Sequence, residues 1–148
     1  MIDNTLTSIS SIMTREMITV SPTTLLREIH EIFQTHHIHH IPVVDENTKL
    51  HGIISFTDYA KALDTFTIFG TKRGEVHNEK SFKSIMAKDI MEKKTVCLSP
   101  DDKIGTAVGI FKENLFHAIP IIKSEKLVGL ITTYDLLVYA YREPTFID

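Results

Sequence analysis

The chain has 148 residues, 43% hydrophobic and 24% charged, with 16 Lys and Arg against 19 Asp and Glu for a formal net charge of −3. This is the size of one globular domain able to bury a core, and it excludes a disordered polar tract. The longest apolar runs, Ile41-Pro42-Val43-Val44 and Leu127-Val128-Gly129-Leu130-Ile131, fall far below the ~20 residues that span a bilayer, and the slight acidic excess gives no support to nucleic acid as a partner.

Met1-Ile2-Asp3-Asn4-Thr5 has neither the basic region nor the apolar stretch of a secretory leader, and the single cysteine, Cys97, can form no internal disulfide. A cytoplasmic, reducing location is the expectation. In chain order, the first β-prone run is Ile18-Thr19-Val20, ending at Ser21-Pro22, where Ser can cap a helix and Pro can occupy its first position. Leu25, Leu26, Ile29, Ile32 and Phe33 then recur at helical spacing. The histidine-rich stretch His36-His37-Ile38-His39-His40 leads into Ile41-Pro42-Val43-Val44, whose unbroken apolar character predicts a strand buried on both faces. A polar turn from Asp45 to Lys49 predicts an antiparallel hairpin whose second strand holds Gly52, with Pro42 near a strand start, where a missing N–H is tolerated. A closing helix is predicted from Phe56 to about Thr65. The connection from Phe66 to Ile85, with Thr71-Lys72-Arg73 between Gly70 and Gly74, reads as a surface linker, and Lys72 and Arg73 are candidates to reach a bound anion.

The pattern then repeats. Ser21-Pro22 recurs 78 residues on as Ser99-Pro100, and the same offset matches Ile12-Met13 with Ile90-Met91, Ile32-Phe33 with Ile110-Phe111, and His39-x-Ile41-Pro42 with His117-x-Ile119-Pro120. With the second turn one residue shorter, Gly52-Ile53-Ile54-Ser55-x-x-Asp58 lies over Gly129-Leu130-Ile131-Thr132-x-x-Asp135. In the second copy Val96-Cys97-Leu98 is the first strand, with Cys97 expected as a small core residue. Ser99 and Asp102 form a capping box. Ile104, Val108 and Phe111 mark the helix, Ile119-Pro120-Ile121-Ile122 the buried strand, and Thr133 to about Tyr141 the closing helix. Each copy therefore reads strand, helix, strand, strand, helix.

No nucleophile elbow, P-loop or G-x-G-x-x-G turn occurs. The informative groups close each copy, where a buried strand turns into a helix. Ser55-x-x-Asp58 and Thr132-x-x-Asp135 are helix capping boxes on one reading. On the other, a helix N-terminus attracts an anion and the Asp accepts from a ribose diol. His39, His40 and His117 precede the buried strands near the same corners, where imidazoles can donate to phosphate oxygens; the alternative is half-buried residues at a helix end. Recurrence at one repeat position favours the functional reading. A metal site is also compatible with His36, His37 and His40, spaced three and four apart, but only His39 recurs and no Cys or carboxylate group completes a tetrahedral set.

With these residues laid out, the sequence resembles the CBS-domain family, and its tandem arrangement resembles a Bateman module. The carrying residues are Ile12-Met13 and Ile90-Met91, Val20-Ser21-Pro22 and Leu98-Ser99-Pro100, the runs from His39 to Asp45 and from His117 to Ile122, and the two closing Gly-to-Asp motifs. The resemblance divides the chain into an N-terminal segment 1–10, a first motif 11–65, a linker 66–85, a second motif 86–141 and a tail 142–148. It implies an α+β fold of two β-α-β-β-α motifs related by a pseudo-twofold axis, with their small sheets packed together and clefts between the motifs that hold adenine nucleotides. Carried over residue by residue, it implies Asp58 and Asp135 for ribose hydroxyls, and Ser55, Thr57 and Thr132 with His39, His40 and His117 for phosphate. Main chain around Ile18, Thr19, Val96, Cys97 and Ala118, with Ile41 and Ile119 beside it, would line the base. The first copy is similar to the AMP-holding pattern of the gamma subunit of AMP-activated kinase. In the second, Ala118 stands where the first has His40 and Tyr134 where it has Thr57, which favours the Asp58 site. Histidine in place of arginine as phosphate donor disfavours di- and triphosphates and makes affinity pH-dependent.

The resemblance thus implies a non-catalytic regulatory module with no metal and no required cofactor. It would bind AMP, with ADP, ATP or S-adenosylmethionine as alternatives, form a homodimer and signal to an unidentified effector protein by conformational shift. Neither nucleic acid nor a membrane is an expected partner. The alternatives are a ligand-free structural or dimerisation module, in which the Ser/Thr-x-x-Asp groups only cap helices, and a metal-binding protein centred on the histidine cluster.

Overall fold

The structure, a computed structural model, describes residues 6–70 and 84–142. Lys72 and Arg73, with the rest of the expected linker from 71 to 83, lie outside the described residues. The chain is α+β and forms two compact units that cut across the sequence repeat. The central unit is Ile18–Thr95, and the terminal unit combines Met1–Met17 with Val96–Asp148. Each unit therefore holds the body of one copy and the leading segment of the other.

In the central unit, helix α1 (Leu26–Thr35) is followed by strands β1 (His40–Val44) and β2 (Leu50–Ser55), helix α2 (Phe56–Gly70) and the short helix α3 (Ala87–Ile90). The terminal unit holds a 3-10 turn (Ile9–Ser11), helix α4 (Ile104–Lys112), strands β3 (Ala118–Lys123) and β4 (Lys126–Thr132), and helix α5 (Thr133–Ala140). β1 and β2 form one antiparallel sheet, with His40 opposite Ser55 and Ile41 opposite Ile54. β3 and β4 form the other, with Ala118 opposite Thr132 and Ile119 opposite Ile131. Ile41, Pro42 and Val43 are all buried, as are Ile119, Pro120 and Ile121, so these strands are covered on both faces as their unbroken apolar runs predict. The apolar spacing of α1 buries Leu26, Ile29 and Phe33. No helix among the described residues is long and apolar enough to cross a membrane.

Four local expectations are corrected. The runs Ile18-Thr19-Val20 and Val96-Cys97-Leu98 are not strands; each makes a single parallel bridge, Val20 to Val43 and Leu98 to Ile121. The Val20 N–H donates to the Pro42 carbonyl and the Val44 N–H to the Val20 carbonyl, at 3.1 and 2.8 Å. The next rung would need the N–H of Pro42, which proline lacks, and Pro120 stops the second run in the same way. Helices α1 and α4 start at Leu26 and Ile104, beyond the Ser-Pro pairs, because the residues between are bonded elsewhere. The Pro22 and Thr24 carbonyls accept from Lys88 and Ala87, and those of Pro100 and Asp102 accept from Ser10 and Ile9. Ser99 still donates its N–H to Asp102 at 2.7 Å, but in a turn and not at a helix start. Cys97 is exposed, since it faces away from the side on which Leu98 packs. The closing helix α2 runs on to Gly70, because no Gly or Pro interrupts residues 66–69.

The leading segments reach their units through glycines. A Cβ on Gly129 would lie 2.6 Å from Met13 Sδ, and one on Gly52 would lie 2.7 Å from the Glu92 carbonyl and 2.9 Å from Met91 Sδ. Beside the first hairpin, the Asp45 carboxylate accepts from the N–H groups of Asn47 and Lys49 and from His51 Nε2, at 2.9, 3.1 and 2.9 Å. Those bonds, with His51 foremost, hold the Asp45 carboxyl below the usual carboxylate range.

Two outcomes follow for stability. Gly52→Ala meets a backbone carbonyl, which cannot swing aside, whereas Gly129→Ala meets only a flexible methionine. Both overpack, by about 1–3 kcal/mol, with Gly52→Ala the costlier in urea melts. Because the Asp45 pKa is lowered on folding, its contribution is present above the ordinary carboxylate pKa and fades as pH falls through the lowered value. The Tm gap between the unmodified protein and Asp45→Asn should therefore shrink as pH falls from about 5 to about 2; a gap that is constant over that range overturns this assignment.

Candidate functional site

In each unit the residues singled out by sequence gather at one end of a hairpin. The parallel sense of the Val20 bridge runs Ile18 and Thr19 back toward Ile41, the end where His40 faces Ser55 and α2 begins. The Leu98 bridge likewise runs Val96 and Cys97 toward Ile119, Ala118 and Thr132.

The corner itself is built from reciprocal hydrogen bonds. In the central unit, the Ser55 N–H donates to Asp58 Oδ2 at 3.1 Å and the Asp58 N–H donates to Ser55 Oγ at 3.0 Å. The Phe56 N–H is taken by the His39 carbonyl at 2.7 Å. In the terminal unit, the Thr132 N–H donates to Asp135 Oδ2 at 2.9 Å, the Asp135 N–H to Thr132 Oγ1 at 3.1 Å, and the Thr133 N–H to the His117 carbonyl at 3.3 Å. The capping reading is thus realised in both copies. It leaves the Thr57 and Tyr134 N–H groups of the two first turns unbonded among the described residues, and it leaves carboxylate lone pairs on each Asp. A helix N-terminus with a free N–H beside a half-exposed carboxylate can meet an anion and a hydroxyl pair together.

The other candidates divide by exposure. His39, His117, Thr57 and Thr19 are exposed, while His40, Ser55, Asp58, Thr132, Asp135, Ile18 and Val96 are half-buried. Ile41 and Ile119 are fully buried and Ala118 is buried, so Ile41 and Ile119 can offer a ligand only main-chain atoms. The histidine cluster does not converge: His36 caps the end of α1, with Nδ1 near Thr35 Oγ1 at 2.9 Å, and His40 opens β1. Among the described residues no three His, Cys, Asp or Glu side chains group as metal ligands.

Two further features join residues that are distant in sequence. Thr14, from the leading segment, bridges to Leu130 and donates its hydroxyl to Asp135, at 3.2 and 3.4 Å from the two carboxylate oxygens. Behind the Asp58 corner lies an aromatic group: Phe33 stacks on Tyr59 at 4.7 Å, Phe56 meets both edge-on, and the exposed His39 ring stands edge-on to Phe56 at 6.4 Å. His30 hydrogen-bonds the Tyr59 hydroxyl, and Gln34 donates to it at 3.4 Å. The terminal unit has Thr133 and Leu136 at the positions of Phe56 and Tyr59. Phe56 and Tyr59 are three apart on α2, whereas Phe33 comes from α1, a pairing that only the fold makes.

Comparison with known proteins gives the same outline. The family model "CBS domain" matches residues 9–65 and 87–142. The chain is 31% identical over 127 residues to inosine-5′-monophosphate dehydrogenase of Methanocaldococcus jannaschii, covering 85% of this chain and 22% of that protein. Among solved structures, the CBS domain pair of protein MJ0100, in complex with 5′-methylthioadenosine and S-adenosyl-L-methionine, superposes with a TM-score of 0.72 at 24% identity, over 91% of this chain and 96% of that one. CBSX2 in complex with AMP superposes with a TM-score of 0.73 at 21% identity, over 90% of this chain and 95% of that one.

Proposed function

The chain belongs to the CBS-domain family, and from that premise we propose that it is a non-catalytic regulatory module that binds an adenosine-containing ligand, AMP foremost, and passes its occupancy to an effector protein by a conformational shift. One observation carries the reading. The same Ser/Thr-x-x-Asp corner, with a histidine carbonyl on the first N–H of the helix, is built in both copies, although Phe56 and Tyr59 of the first are Thr133 and Leu136 in the second. Helix caps alone do not require a histidine beside them in both copies. The ligands named for two structures of the same fold, AMP in one and 5′-methylthioadenosine with S-adenosyl-L-methionine in the other, support an adenosyl group as the shared element.

In this reading Asp58 and Asp135 accept from ribose hydroxyls. Ser55, Thr57, Thr132, His39, His40 and His117 face the phosphate, and main chain near Ile18, Thr19, Ile41, Val96, Cys97, Ala118 and Ile119 borders the base. Hydrogen-bond donors of modest charge suit a monophosphate better than a triphosphate. The lone cysteine suits a reducing, cytoplasmic location.

The proposal includes a homodimer. Tyr134, Leu137, Val138 and Tyr141 are 70%, 56%, 52% and 82% exposed and follow one another at helical spacing along α5 and its end. An apolar stripe of this kind is unusual on a monomer, and a second copy can bury it about a twofold axis without any further partner.

Calorimetric titration with AMP, ADP, ATP and S-adenosylmethionine tests the ligand reading. AMP should bind, Asp58→Ala and Asp135→Ala should each weaken a site by about tenfold or more, and no heat from any of the four ligands overturns it. For the dimer, Leu137→Glu should sediment as a monomer while keeping its helical circular dichroism. A variant that sediments like the unmodified protein removes α5 from the interface.

A further inference from the structure

The two corners look alike, but the residue that each receives from its exchanged leading segment is different. Thr14 and Glu92 are repeat equivalents, 78 positions apart. They occupy one register: Thr14 exchanges backbone hydrogen bonds with Leu130 at 2.8 and 2.9 Å, and Glu92 exchanges them with Ile53 at 3.0 and 2.8 Å. Leu130 and Ile53 each stand two residues before the capping Thr132 or Ser55. From this position the Thr14 hydroxyl donates to the Asp135 carboxylate. Glu92 instead brings a carboxylate, exposed and accepting from the Lys94 N–H at 3.0 Å.

Resting on the adenosyl reading above, we propose that Thr14 and Glu92 determine specificity by making the two sites unequal. The Asp135 site is the stronger one for a phosphate-bearing adenosine, and Glu92 keeps the Asp58 site weak for such a ligand while leaving it open to an uncharged adenosyl compound. Two physical effects act in the same direction. The Thr14 hydroxyl fixes the Asp135 carboxylate, so its remaining lone pairs meet a ribose diol with less ordering cost. A phosphate approaching Asp58 meets a second negative charge, whose repulsion acts over a few ångströms and is weakened by salt. An uncharged ligand does not feel that repulsion. This reverses the preference for the Asp58 site that the sequence alone suggests from His40 and Thr57.

Titrations of the full chain with AMP and with 5′-methylthioadenosine, which carries no phosphate, test the proposal. For the unmodified protein AMP should fill one site tightly, and Asp135→Ala should remove that site while Asp58→Ala leaves it in place. Glu92→Thr and the near-isosteric Glu92→Gln should tighten the second AMP site by about tenfold, with a smaller gain in high salt, and change 5′-methylthioadenosine binding by less than about twofold. Thr14→Val should weaken both ligands at the Asp135 site, and Thr14→Ser, which restores a hydroxyl, should recover them. Two equal AMP sites, loss of the tight site in Asp58→Ala, or a second site unmoved by both Glu92 variants overturns the proposal while the adenosyl reading stands. No binding of either ligand overturns both.

Discussion

The close approach of a methionine to a glycine in the middle of a buried strand is the contact on which the arrangement of both units depends. Met13 lies over Gly129 and Met91 over Gly52, at separations that leave no room for a Cβ. Beside these glycines each leading segment exchanges backbone hydrogen bonds with the strand, Thr14 with Leu130 and Glu92 with Ile53. Once the segment is seated there, its preceding residues bond the carbonyls between each Ser-Pro pair and the following helix. That bonding delays α1 to Leu26 and α4 to Ile104. The exchange of leading segments is therefore one coupled device, with the glycine as its steric condition.

The same device reaches the candidate site. By holding residues 14 and 92 level with Leu130 and Ile53, two residues before the capping Thr132 and Ser55, it brings the Thr14 hydroxyl to Asp135 and sets Glu92 beside Ile53. The cap is worth about 1 kcal/mol, against about 1.5–3 kcal/mol for each large apolar side chain buried beneath it. The corners can therefore vary without endangering the fold. They do vary: the central corner rests on Phe33, Phe56 and Tyr59, and the terminal one has Thr133 and Leu136 in place of the last two.

Much of this was legible in the sequence because it depends on neighbours. The hairpins follow from short apolar runs joined by polar turns, and the capping boxes from a spacing of three residues that helix geometry makes reciprocal. Pro42 and Pro120 were legible as residues but not in their consequence. Where they remove the second rung of a parallel ladder depends on which segment lies alongside, and so the expected first strands shrink to single bridges. Cys97 turned outward for the same reason, since a run held at one rung has only one side packed.

The sequence by itself determined the repeat, the order of elements within each copy and the residues that close it, because period, capping and turn chemistry are set over a few residues. Only the tertiary structure decided which leading segment serves which copy and that Thr14 meets Asp135 from 121 residues away. It also decided that Glu92 takes the equivalent place beside Ile53. Those pairings rest on steric fit at a glycine and on backbone bonds left open by proline, and neither has a periodicity that a linear reading can detect.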